Sequence, residues 1–211
     1  MVEAAAAPLY LSAMFNDLSS PAALLATRRS GKPRDMVAPG PDATQLARIL
    51  AAATRVPDHG KLAPWRFVVV GEDQRDAFAA LLQAAYRDDK PEPGRLEIEA
   101  IEQFAHQAPC LVVALSTPAH ASHIPIWEQE LSAGAACMNL LEATHAEGFV
   151  GGWLTGWAAY SPRVAAAFGL APHDGRIAGF MFIGTPSRPL DERPRPAAET
   201  VISRWTPSPS A

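Results

Sequence analysis

Residues 133–144 read AGAACMNLLEAT, and the small or apolar side chains at 133, 136, 137, 140, 141 and 144 recur at the spacing of one helical face. Such a face needs a flat surface to cover it, and the rest of the chain supplies strands. Residues 110–116 (CLVVALS) form the short unbroken apolar run of a strand buried on both sides, and 66–71 (RFVVVG), 149–155 and 177–184 complete the set. Helices fill the intervals. Ser20-Pro21 puts a capping hydroxyl before a proline at the first helical position, which predicts a helix to about Arg28. Asp42 and Gln45 make a capping box ahead of the stripe Leu46, Ile49, Leu50 and Ala53, and Pro57 stops it. Residues 73–86 are expected to be helical, and Ser161-Pro162 opens a short helix to Phe168 between the last two strands. The sum is an α+β domain with helices around one sheet.

Composition narrows the functional classes. A chain of 211 residues, 48% hydrophobic and 19% charged, can bury a sizeable core as one domain and is too poor in charge to be disordered. Eighteen Lys plus Arg against 22 Asp plus Glu give a net charge of −4, so no global basic field collects nucleic acid or anionic lipid. Any anion must be held by a local cluster. Cys110 and Cys137 lie in apolar stretches and are too few for a disulfide framework, which suits a reducing compartment and makes the cytoplasm the expected location. The apolar residues 4–16 follow Glu3 and precede the first basic residue, Arg28, so the positive start of an export signal is missing. Residues 1–19 are expected to be a loosely ordered extension, 20–186 the folded domain, and 187–211 an extended arm rich in proline and arginine that lies on a partner subunit.

Four stretches carry chemistry. Arg28, Arg29 and Ser30 offer two guanidiniums and a hydroxyl to a phosphate, although paired arginines at a helix end also serve as a solvated cap. Residues 55–67 gather Arg55, Asp58, His59, Lys61 and Trp65 in a polar turn before a strand, where sites often sit, or they simply form a rigid loop. Residues 127–134 (WEQELSAG) lead into the small-faced helix, which suits a core, a subunit interface or a flat ring lying across it. Residues 148–156 (GFVGGWLTG) form a glycine-dense strand that marks a bulge or a ligand approaching the backbone.

In their order and spacing these stretches, with Pro64-Trp65-Arg66-Phe67 and the run from Gly179-Phe180 to Gly184-Thr185-Pro186, resemble the nitroreductase family of flavoproteins, in particular a small bacterial NAD(P)H nitroreductase branch. The resemblance covers residues 21–186. It implies a nitroreductase-like fold, a central, mainly antiparallel sheet flanked by helices, in a homodimer that exchanges its C-terminal arm. It also implies FMN as cofactor, NADH or NADPH as reductant, and a nitroaromatic, quinone or related small molecule as acceptor, with neither nucleic acid nor membrane as partner. Carried over by position, Arg28, Arg29 and Ser30 match flavin-phosphate contacts, Arg55 and His59 reach the flavin from their loop, and Trp153, Leu154 and Thr155 run near the ring. Ala143, Thr144, His145, Ala146, Glu147 and Gly148 match a nicotinamide-binding region. Lys32 stands where many members have a basic residue, whereas Leu154 replaces an arginine of close relatives, which bears on the choice of acceptor.

The resemblance implies a ping-pong cycle in which hydride passes from NAD(P)H through the flavin, so no side chain is assigned as a catalytic acid or base. Arg55 is the candidate cation beside the flavin N1 and C2 carbonyl. An FMN storage, sensor or delivery protein, or a specialised flavin dehydrogenase, would keep the same contacts. His120 and His123 lack further ligands at zinc spacing, and Cys110 at the start of a buried strand reads as a small hydrophobe, so neither a metal nor a thiol nucleophile is expected.

Overall fold

The computed structural model describes residues 15–207, so the expected extension before residue 15 and the last four residues of the arm lie outside the described residues. The elements, in chain order, are α1 (Pro21–Thr27), β1 (Met36–Val37), α2 (Ala43–Ala53), β2 (Trp65–Val70), α3 (Arg75–Asp89), α4 (Arg95–His106), β3 (Cys110–Ser116), α5 (Ile126–Ala146), β4 (Val150–Leu154), α6 (Trp157–Tyr160), α7 (Pro162–Ala167), β5 (Arg176–Pro186) and α8 (Ala198–Val201). The capping residues act as read: Ser20 accepts from the Ala23 N–H, Asp42 and Gln45 form the reciprocal box, and Ser161 accepts from Val164. Four elements went unread in the sequence, one of them α8, a single turn inside the arm expected to be extended. Of the others, the first is the two-residue β1, the second the single turn α6. The third is α4, whose Gly94–Glu97 start follows a proline-rich turn and whose exposed face is heavily charged.

All strand pairs are antiparallel, and β5 is the hub. It pairs with β3 along one edge and with β4 and β1 along the other, while β2 adds to the far side of β3. Side chains alternate across β3 and β5. Leu111, Val113, Leu115, Phe180 and Phe182 face a core built with α3, where Phe104 of α4 meets Phe180 and Phe182 edge-on at 5.2 and 5.3 Å. Val112, Ala114, Met181 and Ile183 face the opposite core, closed by Ile49 and Ala53 of α2 and by Cys137, Leu140 and Leu141 of α5. Arg75 is buried and spans the carbonyls of Val70, Ala105, Gln107 and Ala108, fastening the end of α4 to β2.

The small face of α5 is therefore a core face. Ala133, Ala136, Cys137, Leu140, Leu141 and Thr144 are all buried within the chain, so this face is taken by the sheet and is not open to a subunit or a flat ring. The glycine-dense strand has the same explanation. A Cβ on Gly151 would lie 2.7 Å from the Leu141 methyl, and one on Gly152 would lie 2.8 Å from the Gly31 carbonyl, so the protein's own segments approach that backbone.

Two expectations follow. Ala136→Trp should destabilise the whole domain by more than about 2 kcal/mol, because it overpacks a closed core, and chemical unfolding monitored by tryptophan fluorescence and circular dichroism measures it. His145 on α5 is fully buried, and loss of solvation, reinforced by Arg28 and partly opposed by the Phe149 backbone, pushes its pKa down to about 4. Below its ordinary value of 6.5 the unfolded chain binds a proton that the native chain refuses, so stability is lost as pH falls through this window. Urea titrations at pH 7 and pH 5 should differ by about 2 kcal/mol from this group alone, and His145→Leu should remove that share.

Candidate cofactor site

After α1 the backbone turns extended at Arg28, and the Gly31 N–H donates to the Gly151 carbonyl at 3.2 Å, laying residues 28–32 along the edge of β4 that β5 leaves open. Arg28 donates to Ser30 Oγ at 3.2 Å, which groups those two side chains, and its Nε meets Glu142 on α5 at 2.9 Å. Arg29 is engaged elsewhere. Its fork is filled by Glu192, its Nη1 also donates to the carbonyls of Ala26 and Arg28, and its guanidinium lies 5.1 Å from the centre of the Phe15 ring. Lys32 pairs with Asp191 at 2.8 Å. Ser30 and Lys32 line a cavity of about 200 Å³ that the arm residues Arg188, Leu190 and Asp191 help to close.

The second cluster is strung along α5 from Asn139 back to Glu128. Ser132 Oγ donates to the Pro57 carbonyl at 2.6 Å and accepts from the Trp65 indole at 3.2 Å, while Asn139 donates to the carbonyls of Ala52 and Arg55. Asp58 accepts from the Leu62 and Ala63 amides and shapes the turn. His59 Nδ1 lies 2.7 Å from Glu128 Oε2, and the Arg55 side chain is exposed with no ion pair among the described residues. Glu128 and Glu142 are 14 positions apart on one continuous helix, so the anchors of His59 and Arg28 stand about 21 Å apart along its axis.

Trp153, Leu154 and Thr155 lie at the end of β4, one strand away from the Arg28 to Lys32 run. The Trp153 indole donates to the Ala178 carbonyl at 2.9 Å and lies over Gly179, where a Cβ would collide with it. Leu154 is half-buried and Thr155 exposed. The region expected to meet nicotinamide is the C-terminal end of α5. Thr144 and His145 are fully buried, Glu147 is held by both ends of the Arg48 fork at 2.7 Å, and Gly148 makes the left-handed turn into β4 at φ 86°. Ala146 and Gly148 are the exposed members of that region, with Ala143 half-buried.

The structure thus lays residues 28–32 beside β4 through Gly31 and Gly151, and anchors Arg28 and His59 on α5 residues 14 positions apart, with the Arg55 carbonyl held by Asn139 between them. Sequence reasoning missed Glu142, Asp191 and Glu192. None lies near residues 28–32 in sequence, and only the packing of α5 and the arm brings them in. Cys110 and Cys137 are buried thiols whose pKa values burial pushes up to about 11 and about 12, far from nucleophiles. No helix among the described residues is long and apolar enough to cross a membrane.

Comparison with known proteins agrees with this architecture. The model of the Nitroreductase family matches residues 25–185. The Escherichia coli K12 protein named "Putative NAD(P)H nitroreductase YdjA" is 37% identical over 167 residues, spanning 77% of this chain and 86% of that protein. Among solved structures, a nitroreductase-like family protein from Bacillus cereus superposes with a TM-score of 0.73 at 19% identity, covering 89% of this chain and 96% of its own. The FMN and NADPH-dependent nitroreductase NfnB from sphigopyxis sp. strain HMH superposes with a TM-score of 0.65 at 21% identity, covering 86% and 97%. With the family profile spanning most of the domain, and an α+β fold whose neighbours carry the same name, this chain belongs to the nitroreductase family of oxidoreductases.

Proposed function

We propose that the protein is an FMN-dependent NAD(P)H oxidoreductase acting as a homodimer, and the observation that carries this reading is the Gly31 to Gly151 hydrogen bond. It lays the segment that carries a guanidinium, a hydroxyl and an ammonium alongside β4. That donor set fits a terminal phosphate: Arg28 and Lys32 supply positive charge and Ser30 a neutral donor. FMN ends in such a phosphate, and the Trp153 to Thr155 backbone next to it is where a ring would lie. When bound, FMN supplies the redox chemistry, taking hydride from NADH or NADPH and passing it to a nitroaromatic, quinone or related acceptor in a ping-pong cycle. The chain's own residues bind and orient. Arg55 brings the cation suited to the electron-rich side of a flavin, and His59, oriented by Glu128, offers a ring nitrogen to it. Of the nicotinamide region, Ala146 and Gly148 are the residues with surface to offer.

The 21 Å along α5 between the anchors of Arg28 and His59 is the argument for a dimer, because the arginine row of one chain can meet the His59 turn of a second. The outer face of α5 suits that contact. Trp127 is 66% exposed and Leu131 52%, and the space above Gly134 is empty. Val201, Ile202 and Trp205 of the arm are also apolar side chains left exposed among the described residues, in keeping with an arm that docks on its neighbour. Two buried, unpaired thiols suit a reducing cytoplasm.

The purified protein should be yellow with noncovalent FMN, and heat release followed by chromatography identifies the flavin; FAD alone, or no flavin after reconstitution, would sink the reading. Anaerobic mixing with NADPH and with NADH should bleach the flavin rapidly with at least one of them, whereas colour retained with both would make the protein a flavin binder without turnover. Arg28→Ala should weaken FMN binding by about 1.5 to 3 kcal/mol, read by fluorescence titration. Leu131→Glu should release monomer and flavin together while the circular dichroism of the domain is kept, with mass and flavin content followed by light scattering and absorbance.

A further inference from the structure

The cations of residues 28–32 do not stand free. Arg28 faces Glu142, Arg29 faces Glu192 and Lys32 faces Asp191, so three cations already meet three carboxylates before any ligand arrives. A phosphate near neutral pH is close to a dianion and gains little Coulomb energy from a row that is locally neutral. To bind well it has to detach one of the carboxylates.

The three differ in how firmly they are held. Glu142 sits on α5, the 21-residue helix packed into the core, and its pair with Arg28 is largely buried. Glu192 engages Arg29 through both arms of the fork, and the Arg29 side chain, only 13% exposed, is further fixed by two backbone carbonyls and by Phe15. Asp191 makes one contact to Lys32, with the two side chains 73% and 52% exposed, which is the weakest class of ion pair. Lys32 is also the cation of the row that lines the cavity closed by the arm.

We propose that Asp191 is an intramolecular competitor for the cofactor phosphate: its carboxylate occupies the Lys32 ammonium until the phosphate displaces it, while the Glu192 to Arg29 fork keeps the base of the arm anchored. Arg29 is then a positioning residue for the arm, and the phosphate row is Arg28, Ser30 and Lys32. The proposal rests on the reading that an FMN phosphate docks on that row. It gives the arm a function before it ever reaches a partner, since its two adjacent acidic residues divide into a release point and an anchor.

The test is a fluorescence titration of the flavin-stripped full-length protein with FMN and, separately, with riboflavin, which lacks the phosphate, at low ionic strength. Asp191→Asn should tighten FMN about two- to fivefold and leave riboflavin unchanged. Lys32→Gln should weaken FMN, and adding Asp191→Asn to it should bring no further gain, because the competitor acts only through that ammonium. Glu192→Gln should instead speed chymotryptic cleavage after Leu190, which packs against the core at the base of the arm, without matching the gain in FMN affinity. If Asp191→Asn leaves FMN affinity unchanged or lower while Lys32→Gln still weakens it, the competitor is overturned and the phosphate row stands. If FMN and riboflavin bind alike and Lys32→Gln changes neither, the phosphate reading itself fails and the competitor fails with it.

Discussion

Because β3 and β5 are buried on both faces, helices must cover the sheet twice, and nearly every other feature answers to that demand. One cover is α3 with α4, the other α2 with α5. A strand buried on both sides cannot alternate polar and apolar residues, which is why residues 110–116 read as an unbroken apolar run. The cover from α5 has to come close, so its inward face is small, and Gly151 across from it has no side chain to spare. Fixing α5 so tightly also fixes what hangs from it: the Arg55 to Trp65 loop, held by Asn139 and Ser132, and Arg28, held by Glu142.

Local signals in the sequence carried most of the elements. Hydroxyl and carboxylate caps at Ser20, Asp42 and Ser161 depend on residues three apart, and all of them form. The helix α4 was hidden because its charged outer face and the preceding Pro91 to Gly94 turn resemble a loop, and because a buried Arg75 that holds its end has no local signature. Two ambiguous readings needed the tertiary structure to settle them. The small face of α5 and the glycines of β4 both mean close approach, and sequence does not say whether a ligand, a subunit or the chain itself approaches. Here the chain itself does.

The candidate site was legible to the extent that its members are adjacent in sequence. Residues 28–32 are one short segment laid on β4 by the Gly31 to Gly151 bond, and Trp153 and Leu154 follow by the pairing of β4 with the hub strand. What adjacency could not reveal is that a carboxylate faces each cation from elsewhere in the chain. Nor could it reveal that Thr144 and His145, inside an otherwise plausible binding stretch, point into the core.

The placement of Arg28 and His59 on anchors 14 positions apart along one rigid helix carries a thermodynamic consequence. A helix of 21 residues packed along its length cannot fold back to unite them, so a ligand needing both must be bound between chains or contact only one cluster. In the first case ligand binding and association are linked: a cofactor that bridges two chains binds the dimer and not the monomer, and its free energy of binding adds to that of association. The exposed Trp127 and Leu131 lie near the His59 end of α5, so the apolar contact and the polar loop would be buried in the same event. Water leaving that surface strengthens the electrostatics of the loop, where Arg55 is exposed with no ion pair among the described residues. A lone guanidinium kept on an exposed loop is consistent with a site completed by assembly, in which affinity for the cofactor is withheld from the monomer.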